Sequence, residues 1–384
     1  MRKKNVFISI FLTCVVLTGC WDSNSLELQY YVNSIGFDYT EGQYEVFIQI
    51  LNFQAMPRGG EGVQQSGSPL YVGHAKGRTV VEALHKLYSE TDRKIYWGHL
   101  SSFIVTKSIL ERNEGMEEII EGLSRYEENR HTMWVFATDS QLKELLTTPV
   151  LLEMSPIFSV LGEPTESYEQ SSFVEPIRLH RLFSLMYEPG QTTIFPILDT
   201  REDRWSMELQ QPETTLTKDG AALLHHSQFK GFIMNGDMLG MRWMQESTVR
   251  ASIVLNQSGD IVGTVIGRKP TVKIKPVIQN DNIVFSITID ILANPMELYK
   301  DVSSEEIKEM VSKQIENEVR HTFMKALEIQ GDIYQLSHVL YKKDRDLWRK
   351  YTIDGYVPLN EQSIEKIQVN VKLFKSGKDK LEPI

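Results

Sequence analysis

The sequence predicts an α+β protein of more than one domain, with mixed or antiparallel sheets each flanked by helices. Three observations carry this. Apolar strand patterns alternate with helical stripes through residues 30–200, and long runs rich in Val, Ile and Thr follow between 249 and 293. After them, Ile307, Met310, Val311, Ile315, Val319, Phe323, Ala326 and Leu327 recur at helical spacing. At 384 residues, with 41% hydrophobic and 24% charged content, the chain is long enough for two or three packed cores.

The chain opens on Met1-Arg2-Lys3-Lys4, then an almost wholly apolar run from Asn5 to Leu17, then Thr18-Gly19-Cys20. A basic start, a short apolar stretch and small residues make a secretory signal. A helix of about 14 residues reaches ~21 Å, short of a ~30 Å hydrocarbon core, so it is built for removal rather than for spanning. A bulky apolar residue, two small residues and a cysteine resemble the lipobox of bacterial lipoproteins. That resemblance implies a thioether-linked diacylglycerol on Cys20, which becomes the first mature residue. Two acyl chains, at roughly 0.8 kcal/mol per buried CH₂, hold a protein on a membrane almost permanently.

Without the signal, 38 basic residues face 51 acidic ones, a balance of −13. Such an exterior repels phosphates, so nucleic acid is not an expected partner. It also disfavours adhesion to anionic lipid through the protein surface, leaving attachment to the anchor. Cys14 leaves with the signal and Cys20 is consumed by lipid, so stability must come from packed cores, not disulfides. No later stretch approaches 18 consecutive apolar residues.

Taken in order, residues 1–19 are the signal and 20–29 a lipidated leader, with Trp21 suited to the headgroup zone. An N-terminal α/β domain over 30–200 follows, containing or followed by a small middle domain. Tyr30 to Phe37 and Gln43 to Phe53 read as a hairpin. Gln54 to Pro69, rich in glycine, predicts an exposed flexible loop and contains no phosphate-binding fingerprint. Then come a strand at Leu70 to Ala75, a helix over Thr79 to Glu90, a strand over Lys94 to Val105, a helical region over Lys107 to Tyr126 and a strand at Met133 to Ala137. Asp139 is the expected N-cap of a helix through Leu146. Repeated prolines loosen the pattern from Thr147 to Pro196, around a short helix at Arg178 to Met186. The polar stretch Arg201 to Pro212 marks the expected boundary.

A C-terminal α+β domain over 215–376 follows, with a tail at 377–384. Thr215 to Leu224 and Phe229 to Met234 are strands, with Lys218-Asp219-Gly220 as a turn, and Gly236 to Met244 suits a short helix. Val249 to Leu255, Asp260 to Val277 and Asn282 to Ala293 make an antiparallel meander. Ser303-Ser304-Glu305-Glu306 signals the start of a long helix that ends near Gly331. A second helix is expected over Ile333 to Lys350, and a last strand over Ile364 to Phe374.

The usual catalytic constellations are missing from this sequence. Nine histidines include no His-Glu-x-x-His pair, and no Gly-x-Ser-x-Gly elbow is present. His225-His226 is the one local pair, and neighbours on a strand face opposite sides, which argues against a shared metal. Glu117-Glu118 and Glu127-Glu128 fit solvated helix faces. Trp205, Trp243 and Trp348 fit core positions better than ligand contacts. No cofactor and no metal is expected, and no catalytic residue is assigned.

Several short motifs recur together. They are Gly19-Cys20-Trp21-Asp22; Gly98-His99-Leu100 with Ile104-Val105-Thr106; Asp219-Gly220-Ala221-Ala222; Gly231-Phe232; Gly240-Met241-Arg242-Trp243; Gly331-Asp332-Ile333-Tyr334; and Trp348. In this order they resemble the C subunit of spore germinant receptors along essentially the full chain. The resemblance implies a non-enzymatic lipoprotein on the outer face of the spore's inner membrane. It also implies assembly with integral membrane A- and B-type subunits into a receptor that starts germination in response to nutrients. From the family only Cys20, as lipidation site, carries over to a residue here. The alternative reading is a lipid-anchored solute-binding protein or hydrolase, which requires a ligand cleft.

Overall fold

The computed structural model describes residues 29–52, 70–125, 131–207 and 211–374. The signal, the leader with Cys20, the glycine-rich stretch 54–69 and the tail lie outside these residues.

The chain enters through a hairpin of β1 (Gln29–Thr40) and β2 (Gln43–Leu51). Glu41 and Gly42 both hold positive φ, 54° and 80°, the two-residue turn whose twist matches paired strands. A nine-stranded sheet grows from this hairpin. Its order is β3 (Leu70–Gly77), β2, β1, β5 (Ser102–Thr106), β6 (Trp134–Thr138), β7 (Thr192–Met207), β8 (Gln211–His225) and β9 (Gln228–Met234), and β4 (Lys94–Tyr96) pairs with the start of β1. β1 runs parallel to β4 and β5, β5 to β6, and β6 to β7, whereas both flanks are antiparallel.

All five residues of β5 and of β6 are buried, because both faces of the sheet are covered. Phe103, Val105, Val135 and Ala137 meet α1 (Val80–Ser89), α3 (Gly115–Ser124) and α6 (Leu179–Met186). Ile104 and Phe136 meet α4 (Leu142–Thr147) and Leu161 on the other side. Thr79 caps α1 by accepting the Glu82 N–H at 3.1 Å. The centre of the sheet also holds a polar cluster. Gln49 Oε1 accepts from Asn33 Nδ2 at 2.9 Å and from Ser34 Oγ at 3.2 Å, while Gln49 Nε2 donates to Leu146 O at 2.7 Å.

Several local expectations change. The strand expected over 94–105 is two, β4 and β5, separated by a turn at 97–101. The helical region from 107 is two helices, α2 (Lys107–Leu110) and α3, broken where Glu114 takes a φ of 61°. α4 starts at Leu142 with Gln141, not Asp139, at its N-cap and no side-chain bond there. The stretch 201–212, where the boundary is expected, lies in the β7–β8 hairpin, where Trp205 pairs with Glu213 and Ser206 with Pro212. Its polar sequence fits a ribbon that projects beyond the sheet and is held by backbone bonds. Lys218-Asp219-Gly220 is not a turn but part of β8. A Cβ on Gly220 would lie 2.3 Å from Ile233 O, so glycine permits the approach of β9. The reversal falls at His226-Ser227.

The second sheet is β10 (Ala251–Gln257), β11 (Asp260–Gln279), β12 (Asn282–Leu298) and β13 (Ile364–Leu373), in that order. The first three form the expected antiparallel meander, and β13 returns parallel to β12. α8 (Ser304–Glu328) opens with a capping box of Ser303 and Glu306 and buries Val311, Ile315, Val319 and Phe323 in one core with Phe285, Ile287 and Ile289. The helix expected over 333–350 is two, α9 (Leu336–Lys343) and α10 (Arg345–Tyr351). They part at Asp344, whose Oδ1 caps α10 by accepting from Asp346 and Leu347.

β8 belongs to both halves. Ala222 and Leu224 enter the first core, and Ala221 and Leu223 the second, beside Ile233 and Trp243. β8 and β9, grouped by sequence with a unit starting at 215, therefore hydrogen-bond in the first sheet and roof the second core.

Replacing Gln49 with Ala strands the Asn33 amide and the Leu146 carbonyl in the interior. The variant is expected to lose about 2 kcal/mol, read as a lower denaturant midpoint at unchanged slope.

Candidate functional site

The largest gathering of buried polar groups among the described residues lies where the two halves meet. The β8–β9 turn contributes His225 and His226, the chain before β7 contributes 189–192, and the segments 331–338 and 353–357 close over both. Asp332 is buried, and its two oxygens accept the N–H groups of Leu336 and Ser337 at 2.9 and 2.7 Å, capping α9. Its own N–H donates to His225 Nε2 at 3.3 Å, which leaves the His225 proton on Nδ1. The His225 ring lies flat on Tyr356, with centroids 3.8 Å apart. Tyr356 Oη donates to Gln191 O at 2.8 Å and accepts the His226 N–H at 3.1 Å.

Around this centre, Gln335 exchanges two bonds with the Thr192 backbone, at 2.8 and 2.7 Å. His338 Nδ1 donates to Pro189 O at 3.0 Å, and Ser337 Oγ accepts from Trp348 Nε1 and Val357 N–H. Burial pushes the Asp332 carboxyl up to about 6. Burial, reinforced by Lys230 and His226, pulls His225 down to about 3, and burial raises the Tyr356 phenol. These groups are engaged with backbone partners. Their chemistry is that of a joint which sets the two halves in one relation.

A second cluster fixes the segment after β9 to α8. α7 (Met241–Met244) follows Gly240, and a Cβ there would stand 2.4 Å from Glu318 O. Glu318, buried on α8, accepts from Arg242 at 3.1 Å and from Trp243 Nε1 at 2.6 Å. Thr322 Oγ1 accepts the Gly240 N–H and donates to Asp237 O. Glu318 and Thr322 were not singled out from sequence. Their spacing from Ile315 and Val319, on the same helical stripe, is the signal that places them inside.

Cys20, Glu127-Glu128 and the glycines of 59–67 lie outside the described residues. His225 and His226 do converge, on Tyr356, because His226 occupies the turn and leaves the strand alternation. Among the described residues no three His, Cys, Asp or Glu side chains are grouped to hold a metal. Trp243 is fully buried, Trp348 half-buried and Trp205 exposed, while Glu118 pairs with Arg112 at 3.1 Å. A cavity of about 690 Å³ opens at the joint, lined by its own His225, Asp332 and Tyr356 together with Lys230, Ile353 and Leu359. Its size suits a small ligand. No described helix is long and apolar enough to cross a membrane.

Two helix-backed sheets, with one strand of the first packing into both cores and buried polar groups that bind the halves together, define a multidomain α+β scaffold. Comparison narrows the class. Residues 22–200 match the family model described as "Spore germination protein N-terminal domain", and residues 219–377 match "Spore germination B3/ GerAC like, C-terminal". Spore germination protein KC of Bacillus subtilis (strain 168) is 22% identical over 374 residues, spanning 91% of this chain and 90% of that protein. Spore germination protein B3 of the same organism is 23% identical over 364 residues, spanning 91% and 92%. The crystal structure of the GerBC protein shares the fold with a TM-score of 0.51 at 17% identity, covering 89% of this chain and 97% of that one. The chain belongs to the Ger(x)C family of spore germination proteins.

Arg242→Ala leaves the Glu318 carboxylate buried without its cation and is expected to cost about 3 kcal/mol, whereas Glu318→Gln, which keeps an acceptor for Trp243, costs less; thermal unfolding separates the two. The joint also predicts opposed pH effects. His225 is depressed in the folded state, so its contribution is present above pH 6.5 and is lost as pH falls toward about 3. Asp332 is raised, so its contribution is fully present below 3.8 and is lost as pH rises through about 6. Between pH 6 and 4 the stability of His225→Gln, relative to wild type, should therefore rise on acidification. That of Asp332→Asn should fall, by about 1 kcal/mol or more in urea titrations.

Proposed function

We propose that this chain is a lipid-anchored, non-enzymatic subunit of a nutrient germinant receptor. It is held by Cys20 to the outer face of the spore inner membrane and acts with integral membrane A- and B-type subunits. The observation that carries the reading is the placement of the family match. It begins at residue 22, two positions after the lipobox cysteine, and with its second part reaches residue 377. The bonding within the joint supports a scaffold rather than a catalyst. His225 and Asp332 line the cavity, but His225 Nε2 accepts the Asp332 N–H and both Asp332 oxygens accept backbone N–H groups, so the atoms a general acid or base would use already have partners. Anchoring favours such a role, since it raises the effective concentration of the body beside its membrane neighbours.

The cavity at the joint favours one second reading, a lipid-anchored solute-binding protein. Binding of a free amino acid or sugar to the purified chain, abolished by a bulky substitution at Ile353, would support that reading.

Cys20→Ala is expected to abolish diacylglyceryl labelling, release the protein from spore membranes and lower the germination response to nutrients. An unchanged response at normal protein level would count against the receptor role. Affinity purification from detergent-solubilised spore membranes is expected to bring down two polytopic companions.

A further inference from the structure

One end of the first sheet gathers features that the joint does not use. β5 and β6 begin there, at the paired row Ser34, Ser102, Trp134, and β1 and β4 begin beyond that row at the same end, where Gln29 pairs with Lys94. α4 runs back toward it, since Gln49, the partner of Ser34, donates to Leu146 O near the end of that helix. The chain after α4 therefore lies at this end, where Trp134 Nε1 donates to Gly162 O at 3.1 Å.

That stretch is apolar and faces outward. Leu152 is 88% exposed, Phe158 68%, Met154 47% and Ile157 38%. Between Thr147 and Gly162 the one ionisable residue is Glu153. Leu152, the most exposed large apolar side chain among the described residues, also holds a φ of 61°, a left-handed conformation that costs a branched residue energy. Strain and solvent exposure at one leucine point to a contact outside the chain.

The length of chain before β1 says what that contact is. Nine residues, 20–28, precede Gln29, and fully extended they span about 30 Å. We propose that Leu152, Met154, Ile157 and Phe158 dip into the headgroup region of the bilayer that holds Cys20, so that this end of the sheet rests on lipid. The proposal builds on the lipidation read at Cys20. An acidic body gains nothing from anionic headgroups, so apolar insertion carries the contact, and salt leaves it unchanged. The segment's lack of charge and its outward display fit a lipid surface better than a protein groove.

The mature chain has no cysteine besides Cys20, so Ser155→Cys takes a single environment-sensitive fluorophore and leaves the four apolar residues in place. The full lipidated protein is reconstituted in vesicles of phosphatidylglycerol and phosphatidylethanolamine, with a control label at the exposed Glu309 of α8. The probe at 155 is expected to shift to the blue and to be quenched by lipids spin-labelled near the headgroup, equally at low and high salt, while the probe at 309 stays water-like. Adding Leu152→Asp and Phe158→Asp should abolish the quenching. A water-like signal at 155 with Cys20 acylated by mass spectrometry overturns the proposal and leaves the anchor standing. Shielding in spore membranes but not in vesicles assigns the segment to a protein and overturns it too. If Cys20 is unmodified, the lipidation reading fails instead. The same probe on the purified chain with Cys14 and Cys20 replaced by Ala, mixed with excess vesicles, then decides, a blue shift supporting insertion and its absence rejecting it.

Discussion

β8 is the constraint on which the rest depends, because it is buried on both faces by different cores. Ala222 and Leu224 pack into the first and Ala221 and Leu223 into the second, so each half completes its interior with the other's roof. A strand in this position cannot alternate apolar and polar residues, and Ala221-Ala222-Leu223-Leu224 is continuously apolar for that reason. Two halves of a chain usually meet through a modest polar interface and move relative to each other. Here the halves share covalent backbone and apolar contacts, and the Asp332, His225, Tyr356 and Gln191 bonds fix their angle.

This arrangement explains why the family's short motifs look chemically bland. Gly240 lets α7 approach α8, Trp243 fills the second core, Asp332 caps α9, and Tyr334 Oη donates to Val319 O at 2.8 Å. Gly240, Trp243, Asp332 and Tyr334 thus all sit where elements pack against one another. Their roles are therefore in assembly within the molecule.

Much of the fold was legible. The meander, the long helix with its Ser303–Glu306 box and the alternation of strands and helices before residue 200 all follow from local periodicity, and local periodicity is what a sequence displays. The hairpin over 201–212 was not legible, because a projecting hairpin needs no buried face and so leaves no apolar pattern. The break between α9 and α10 hinges on Asp344, whose capping role depends on the turn of the chain around it. The joint was hidden for a different reason. Its members come from residues 189–192, 225–226, 331–338 and 353–357, and only tertiary structure brings them together. The lipobox reading at Cys20 is of the reverse kind, resting on a purely local pattern that needs no fold.

The parallel return of β13 has a bearing on how the protein matures. β12 pairs with it from Phe285 to Ala293, and the 65 residues 299–363, helix and loop, separate the two strands. Pairings so far apart in sequence form slowly, because a long loop must close before any contact rewards it. During synthesis, the second core waits for its last strand, while the first can already collapse around β1 to β9. Until then β12 presents an open strand edge to its surroundings, and a chaperone or a neighbouring chain that holds this edge would govern the yield of folded protein.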